Sequence, residues 1–283
     1  MTSMNGRERV FSFELFPPKT PAGMEKLQTA VRKLNQVGPR YFSVTYGAGG
    51  STQERTFATV DWLRGQGIET APHISCIGSH GEEIDALLQR YMVQGIHRLV
   101  TLRGDLPSGM GRGDPSEFRY ANELVAFIRS QTGDHFHIEV AAYPEFHPQA
   151  RDALADLKHF RRKVEAGANA AITQYFYNAD AYFRFLDSCQ QLDIRIPIVP
   201  GIMPVTNFSQ LARFSDACGA EIPRWMRKRL EAFGDDLDSI RAFGHEVVVD
   251  LCRRLLEGGA PGLHFYTMNQ AGPTLAIWRA LGL

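Results

Sequence analysis

Four cysteines in 283 residues are too few and too scattered for a disulfide framework. Cys76, Cys189, Cys218 and Cys252 also lack the CxxC spacing of a thiolate metal site. Charge of one sign is missing too: Lys plus Arg and Asp plus Glu both number 31, and the formal charge is zero. That excludes a nucleic-acid partner held by a global field. An anionic ligand has to be met by local placement of Arg or Lys. No apolar run approaches a membrane span. The start, MTSMNGRERV, lacks the apolar stretch of a signal peptide. A cytoplasmic protein with no membrane partner is expected. The nine histidines form no HExxH, and the single HxH, His135 and His137, brackets Phe136 without a carboxylate pattern beside it. No metal is expected. There is no GxSxG elbow either.

What is present is apolar material for a large core: 44% hydrophobic and 11% aromatic residues. The length suits one α/β barrel or two modest domains. Short segments rich in β-branched and aromatic residues occur near 10–16, 41–46, 70–76, 98–103, 137–143, 170–175, 196–201 and 262–267. Stretches of helical period lie between them. Met24, Leu27, Val31, Leu34 and Val37 step by three or four along one face. Ile84, Leu87, Leu88, Tyr91 and Met92 do the same, closed by Gly95. Further helices fit 52–66, 117–132, 150–166, 179–192, 207–217, 222–233, 236–257 and 273–281. Strand–helix alternation implies parallel strands joined by right-handed crossovers. Eight units close into a (βα)8 TIM barrel, with an open doubly wound sheet as the alternative. Two extra helices crowd the long gap before the last strand. The whole chain, 1–283, reads as a single catalytic barrel domain.

Side chains alternate along a strand, and in a barrel one face meets the helices and the other the interior. In FSFELF, Phe11, Phe13 and Leu15 should face the helices, which turns Glu14 inward. The same reading turns Ser43, Thr45, His73, Ser75, Thr101, Arg103, Ala141 and Tyr143 inward, and Val100 and Leu102 outward. Gln174 ends the sixth strand. The polar members gather near strand C-terminal ends, where barrel enzymes keep their sites. An inward carboxylate in an apolar strand is disfavoured as an ion, which suits a general acid. A buried ion pair with Arg103 is the competing reading. In LRGDLP, Gly104 permits close approach of a flat ligand, and Asp105 can accept from ring N–H groups; a plain turn with an exposed ion pair competes. YGAGGST leads into a helix with Ser51 or Thr52 as cap, and such a loop can hold phosphate, yet it is neither a Walker motif nor GxGxxG. Tyr143 and His147 in YPEFHP can stack on and hydrogen-bond a cofactor. Asp156, Arg162 and Lys163 in DLKHFRRKVEAGA equally fit a solvated helix face. QYFY suits a flat conjugated ligand or a core cluster.

Together, FSFELFPPK, VTYGAGGSTQERT, APHISC, LRGDLP, AAYPEFHP, KVEAGANAAITQYFY, PGIMPV and HFYTMN resemble, in order and over nearly the whole chain, the bacterial flavin-dependent methylenetetrahydrofolate reductase family. The resemblance implies an FAD-containing eight-stranded barrel that reduces 5,10-methylenetetrahydrofolate to 5-methyltetrahydrofolate with NADH or NADPH, ping-pong, through one shared site. It implies that Glu14 is the general acid and that Asp105 lies near the flavin and contacts the pterin. Thr45, Tyr46, Ala48, His73, Arg103, Gly104, Asp105, Ala121, Tyr143, His147, Ala150, Asp156, Arg162 and Lys163 fall where the family holds FAD. Gln174 and Gln210 match folate contacts, and Phe214 an aromatic position that packs on nicotinamide or folate. Many members read FYTLNR where this chain reads FYTMNQ. Gln270 therefore replaces an arginine that favours the anionic benzoyl-glutamate tail, which bears on folate affinity and not on the chemistry. The resemblance further implies a homo-oligomer, no C-terminal regulatory domain and no S-adenosylmethionine control. A proline-dehydrogenase-like flavin barrel and a catalytically silent folate-binding protein are the alternatives.

Overall fold

The computed structural model describes residues 8–46, 50–76, 80–104 and 117–283. Its strands are β1 (Val10–Leu15), β2 (Tyr41–Val44), β3 (Thr70–Ser75), β4 (Arg98–Leu102), β5 (His137–Ala142), β6 (Ala170–Thr173), β7 (Ile198–Val199), β8 (Gly201–Ile202) and β9 (Gly262–Tyr266). All pair in parallel, in the order β7-β6-β5-β4-β3-β2-β1-β9-β8. The two ends of that order, β7 and β8, are separated by one residue, Pro200. The sheet therefore wraps into a barrel. The expected seventh strand is two segments, giving nine in place of eight. Proline has no N–H for the ladder and breaks the strand, while its carbonyl still accepts from His264 N at 3.0 Å.

The helices are α1 (Pro21–Leu34), α2 (Gly50–Gly65), α3 (Gly81–Val93), α4 (Ala121–Thr132), α5 (Ala153–Glu165), α6 (Ala179–Gln191), α7 (Phe208–Cys218), α8 (Arg224–Ala232), α9 (Leu237–Glu257) and α10 (Ala271–Ala280). As expected, the gap before the last strand holds three of them, α7, α8 and α9. α1 begins where Thr20 caps the Gly23 N–H at 3.1 Å and Pro21 occupies the first turn. It buries Leu27, Val31 and Leu34 completely. Gly95 follows α3 with φ 67°, the left-handed stop expected there. α2 already has helical backbone at Gly50, so Ser51 and Thr52 lie within its helical span and not at the cap position expected of them. No helix among the described residues is long and apolar enough to cross a membrane, and none of the four cysteines forms a disulfide.

The main core lies between barrel and helices. Phe13 packs against Phe42, Phe265 and Trp278, with centroids 5.6–5.8 Å away. Phe42, Val44, Ile74, Cys76, Val140 and Ala142 join this outer layer, as alternation predicts. The fourth strand departs from the prediction. Leu99 belongs to the outer layer, while Val100 and Leu102 pack inside with Tyr41, Ala71 and Ile172. The register His73↔Val100 and Ser75↔Leu102 requires this, because paired residues share a face. Both faces of β4 are apolar, so composition could not choose between them. Thr101 is consequently outward and fully buried. At the N-terminal end of the interior, Glu139 is buried and accepts from Tyr41 Oη at 2.6 Å and Arg98 Nη1 at 2.7 Å. The Arg98 guanidinium also lies 4.7 Å from the centre of the Tyr41 ring.

Candidate active site

Glu14 is the penultimate residue of β1 and points into the barrel, as alternation requires. Its surroundings differ from the expected apolar pocket. Its Oε2 lies 3.5 Å from His73 Nε2 and 3.6 Å from His264 Nε2. His73 comes from β3 and His264 from β9, and both are buried. Burial pulls the His73 pKa down to about 4 against an opposing pull from Glu14, so this ring is neutral near pH 7. Beneath them, Ser12 Oγ stands 2.7 Å from His264 Nδ1. The ion pair with Arg103 is not formed: Arg103 donates instead to Gln149 Oε1 at 2.6 Å.

The loop after β9 holds the end of β1. Thr267 Oγ1 donates to Glu14 O at 2.6 Å. Tyr266 faces inward and donates through its hydroxyl to Thr173 O at 2.7 Å. Burial, first, and the Glu14 charge raise the Tyr266 pKa well above 10, keeping it a neutral donor.

Beside this centre, a second group of expected residues assembles at the ends of β4 and β5 and on α5. Tyr143 and His147 pack edge to face, with ring centres 4.7 Å apart. Asp156 accepts from His147 N at 2.9 Å, and Gln149 N donates to His147 Nδ1 at 3.0 Å. Ala150 N donates to His147 O at 2.8 Å, closing the turn. Lys163, far from lying on a solvated face, reaches inward to Ala141 O at 2.5 Å. Burial lowers its pKa to about 8, offset in part by Asp156. Arg162 stays on the exposed surface, 3.3 Å from His159. Gly104, at φ 88°, adopts a conformation that glycine tolerates best. Ala121 opens α4. Thr45 and Tyr46 follow β2, and Thr45 N donates to Leu15 O at 2.9 Å.

A third group surrounds the same mouth. Gln174 follows β6 and folds its Oε1 onto Tyr175 N at 3.0 Å. Gln210 and Phe214 are one turn apart on α7, with Phe214 38% exposed. Gln270 is exposed just before α10. Ala48 and Asp105 lie outside the described residues.

Alternation places Ser12 on the inward face of β1 with Glu14, but a lone serine there carries no site signal, and the last strand, which brings His264, offers no motif of its own. Applied to GLHFY, alternation turns His264 and Tyr266 inward, which was the available signal. The hydrogen bonds that join the Asn269 side chain to the backbone of Phe16 had none, since they link positions 253 apart in sequence.

A family model described as methylenetetrahydrofolate reductase matches residues 2–282. The chain is 39% identical over 273 residues to the 5,10-methylenetetrahydrofolate reductase of Escherichia coli, covering 96% of this chain and 90% of that one. It is 39% identical over 284 residues to the protein of the same description from Pectobacterium carotovorum, covering 100% and 93%. Methylenetetrahydrofolate reductase (NADH) 1 of Arabidopsis thaliana is 37% identical, and the match covers 98% of this chain but 49% of that longer protein. Among solved structures, an uncharacterized protein from Clostridium thermocellum that binds two copies of 5-methyl-5,6,7,8-tetrahydrofolic acid has the same fold. Its TM-score is 0.69 at 17% identity, covering 99% of this chain and 96% of that one.

Proposed function

The chain belongs to the methylenetetrahydrofolate reductase family, and from that premise we propose that it is a single catalytic barrel reducing 5,10-methylenetetrahydrofolate to 5-methyltetrahydrofolate with NADH or NADPH through bound FAD. The observation that carries the reading is Glu14: a carboxyl inside the barrel, at the mouth, with the donor-rich β4–β5–α5 group beside it.

The residues present fit FAD by their chemistry. Arg103, Arg162 and Lys163 supply cationic and hydrogen-bonding groups for a diphosphate, and Tyr143 and His147 supply aromatic surface for flat rings. Lys163, Asp156 and the 143–150 turn are already cross-tied, so this side of the site is organised in advance. When bound, FAD would supply two-electron hydride chemistry between the nicotinamide and the folate. Gln174, Gln210 and Gln270 orient the folate, and Phe214 offers a partly exposed ring to whichever flat substrate is present. Glu14 gives a proton to a folate nitrogen, which opens the five-membered ring and leaves the methylene carbon electrophilic. Each turnover then consumes that one proton, and Glu14 must regain it. The absence of a Rossmann fingerprint leaves both nicotinamides as donors. We also propose a cytoplasmic homo-oligomer.

The test is a visible spectrum of the purified protein. A yellow protein, bleached anaerobically by NADH and restored by methylenetetrahydrofolate, is the expected result. A protein that neither carries nor takes up flavin overturns the reading. Bleaching by proline and not by NADH would move it to the proline-dehydrogenase-like alternative.

A further inference from the structure

Two imidazoles approach the Glu14 carboxyl, and both approach the same oxygen. His73 Nε2 is 3.5 Å from Oε2, and His264 Nε2 is 3.6 Å from Oε2. Neither Nε2 has a hydrogen-bond partner elsewhere, although both are buried. A buried N–H without an acceptor is costly, so such a group marks a partner still to be engaged. The separations exceed hydrogen-bond length by a few tenths of an ångström, the looseness usual in an unliganded catalytic contact.

His264 is the more tightly determined of the pair. Its residue is 0% exposed. Its other nitrogen, Nδ1, is 2.7 Å from Ser12 Oγ, and Ser12 is itself fully buried on the strand that carries Glu14. Tyr41 stacks near its ring, with centres 6.5 Å apart and planes 29° from parallel, and Tyr266 packs edge-on at 5.3 Å. The ring can neither flip nor swing away without breaking this packing. A hydroxyl donating to Nδ1 leaves the single proton of a neutral imidazole on Nε2, the atom aimed at Glu14.

Resting on the function proposed above, we propose that His264, its tautomer set by Ser12, is a positioning residue that donates Nε2–H to Glu14 Oε2 and thereby assigns the transferable proton to Oε1. An oxygen already accepting N–H donors is a poor place for an acid proton, so protonation goes to the other oxygen. The transfer then breaks the Oε1–H bond and forms N–H on the folate. The resulting carboxylate keeps the donor on Oε2 and regains a proton at Oε1 from solvent once product leaves. His264 gains and loses no proton. Ser12 and His264 act through Glu14 and do not touch substrate in this scheme.

The test uses the FAD-loaded protein labelled with 15N-histidine, His264 being assigned by His264→Gln. Wild type is expected to show His264 protonated at Nε2 and bare at Nδ1. Ser12→Ala, which removes only a hydroxyl, is expected to shift the Nδ1 resonance and mix the tautomers. It should also slow reoxidation of the reduced enzyme by methylenetetrahydrofolate at least tenfold, with reduction by NADH unchanged within twofold. The alkaline limb of the pH profile for the folate half-reaction should move to higher pH, since a donor to the carboxylate has been weakened. A purely structural role would lower the rate at every pH without moving that limb. His264→Gln should reproduce the kinetic pattern. An Nδ1-protonated His264 in wild type, or an unmoved pH limb in both variants, overturns the proposal. Failure of wild type to be bleached by NADH and restored by the folate would instead sink the function on which it rests.

Discussion

Asn269 grips Phe16 at both backbone atoms: its Oδ1 accepts from Phe16 N at 3.0 Å and its Nδ2 donates to Phe16 O at 2.8 Å. The last loop of the barrel thus clamps the first strand two residues after Glu14. Met268 and Asn269 both have positive φ, 51° and 55°, and Asn is among the few side chains that tolerate this.

Replacing Asn269 by Ala removes both bonds and puts an unfavourable residue in a left-handed position. A loss of about 1–3 kcal/mol is expected, read from urea unfolding. Asn269→Gly keeps the turn and loses only the clamp, so it should fall between wild type and Ala.

Glu14→Gln keeps the shape and the acceptor oxygen but has no proton to give. Reduction of the folate should fall about a hundredfold or more, while reduction of the flavin by NADH stays near wild type. Stopped-flow measurement of the two half-reactions separates them. Survival of both would remove Glu14 as the acid.

His73 is buried with its pKa depressed from 6.5 to about 4. The unfolded chain therefore binds more protons than the folded one between those values, and stability falls as pH drops through the window. Between pH 7 and pH 5 this one group should cost about 2 kcal/mol. His73→Gln removes that component, so the urea midpoint of the variant should fall less steeply with acid than that of wild type. His137, also lowered to about 4 but partly exposed, adds a smaller slope of the same sign.

Glu139 holds Tyr41 and Arg98 inside the barrel. Glu139→Ala leaves a partly buried guanidinium and a buried phenol without their acceptor, at an expected cost of about 3–5 kcal/mol. Glu139→Gln should cost less, because an acceptor remains. Thermal unfolding with the ligands absent measures both.

Gln270 is exposed beside the mouth. Gln270→Arg restores the cation that many relatives carry and should lower KM for the folate by about two- to fivefold with kcat unchanged. The gain should shrink as salt is raised. A change confined to kcat would mean that position 270 does not meet the anionic tail.

The order of strands and helices was legible in the sequence because each element carries its own periodic signal: Leu27, Val31 and Leu34 on α1, Phe11, Phe13 and Leu15 on β1. Alternation alone turned Glu14 into the barrel, and a resemblance spread over eight segments named the family. Two kinds of fact were not legible. Where both faces of a strand are apolar, as in Leu99–Val100–Thr101–Leu102, only pairing with β3 decides which face is inside. Where neighbours come from distant segments, no local pattern announces them. Ser12 and His264 are 252 positions apart, yet ring closure lays β9 against β1 and sets Ser12 beside His264 in register. The sequence by itself determined that a carboxylate faces the interior; only the closed barrel decided that two imidazoles, and not Arg103, stand against it.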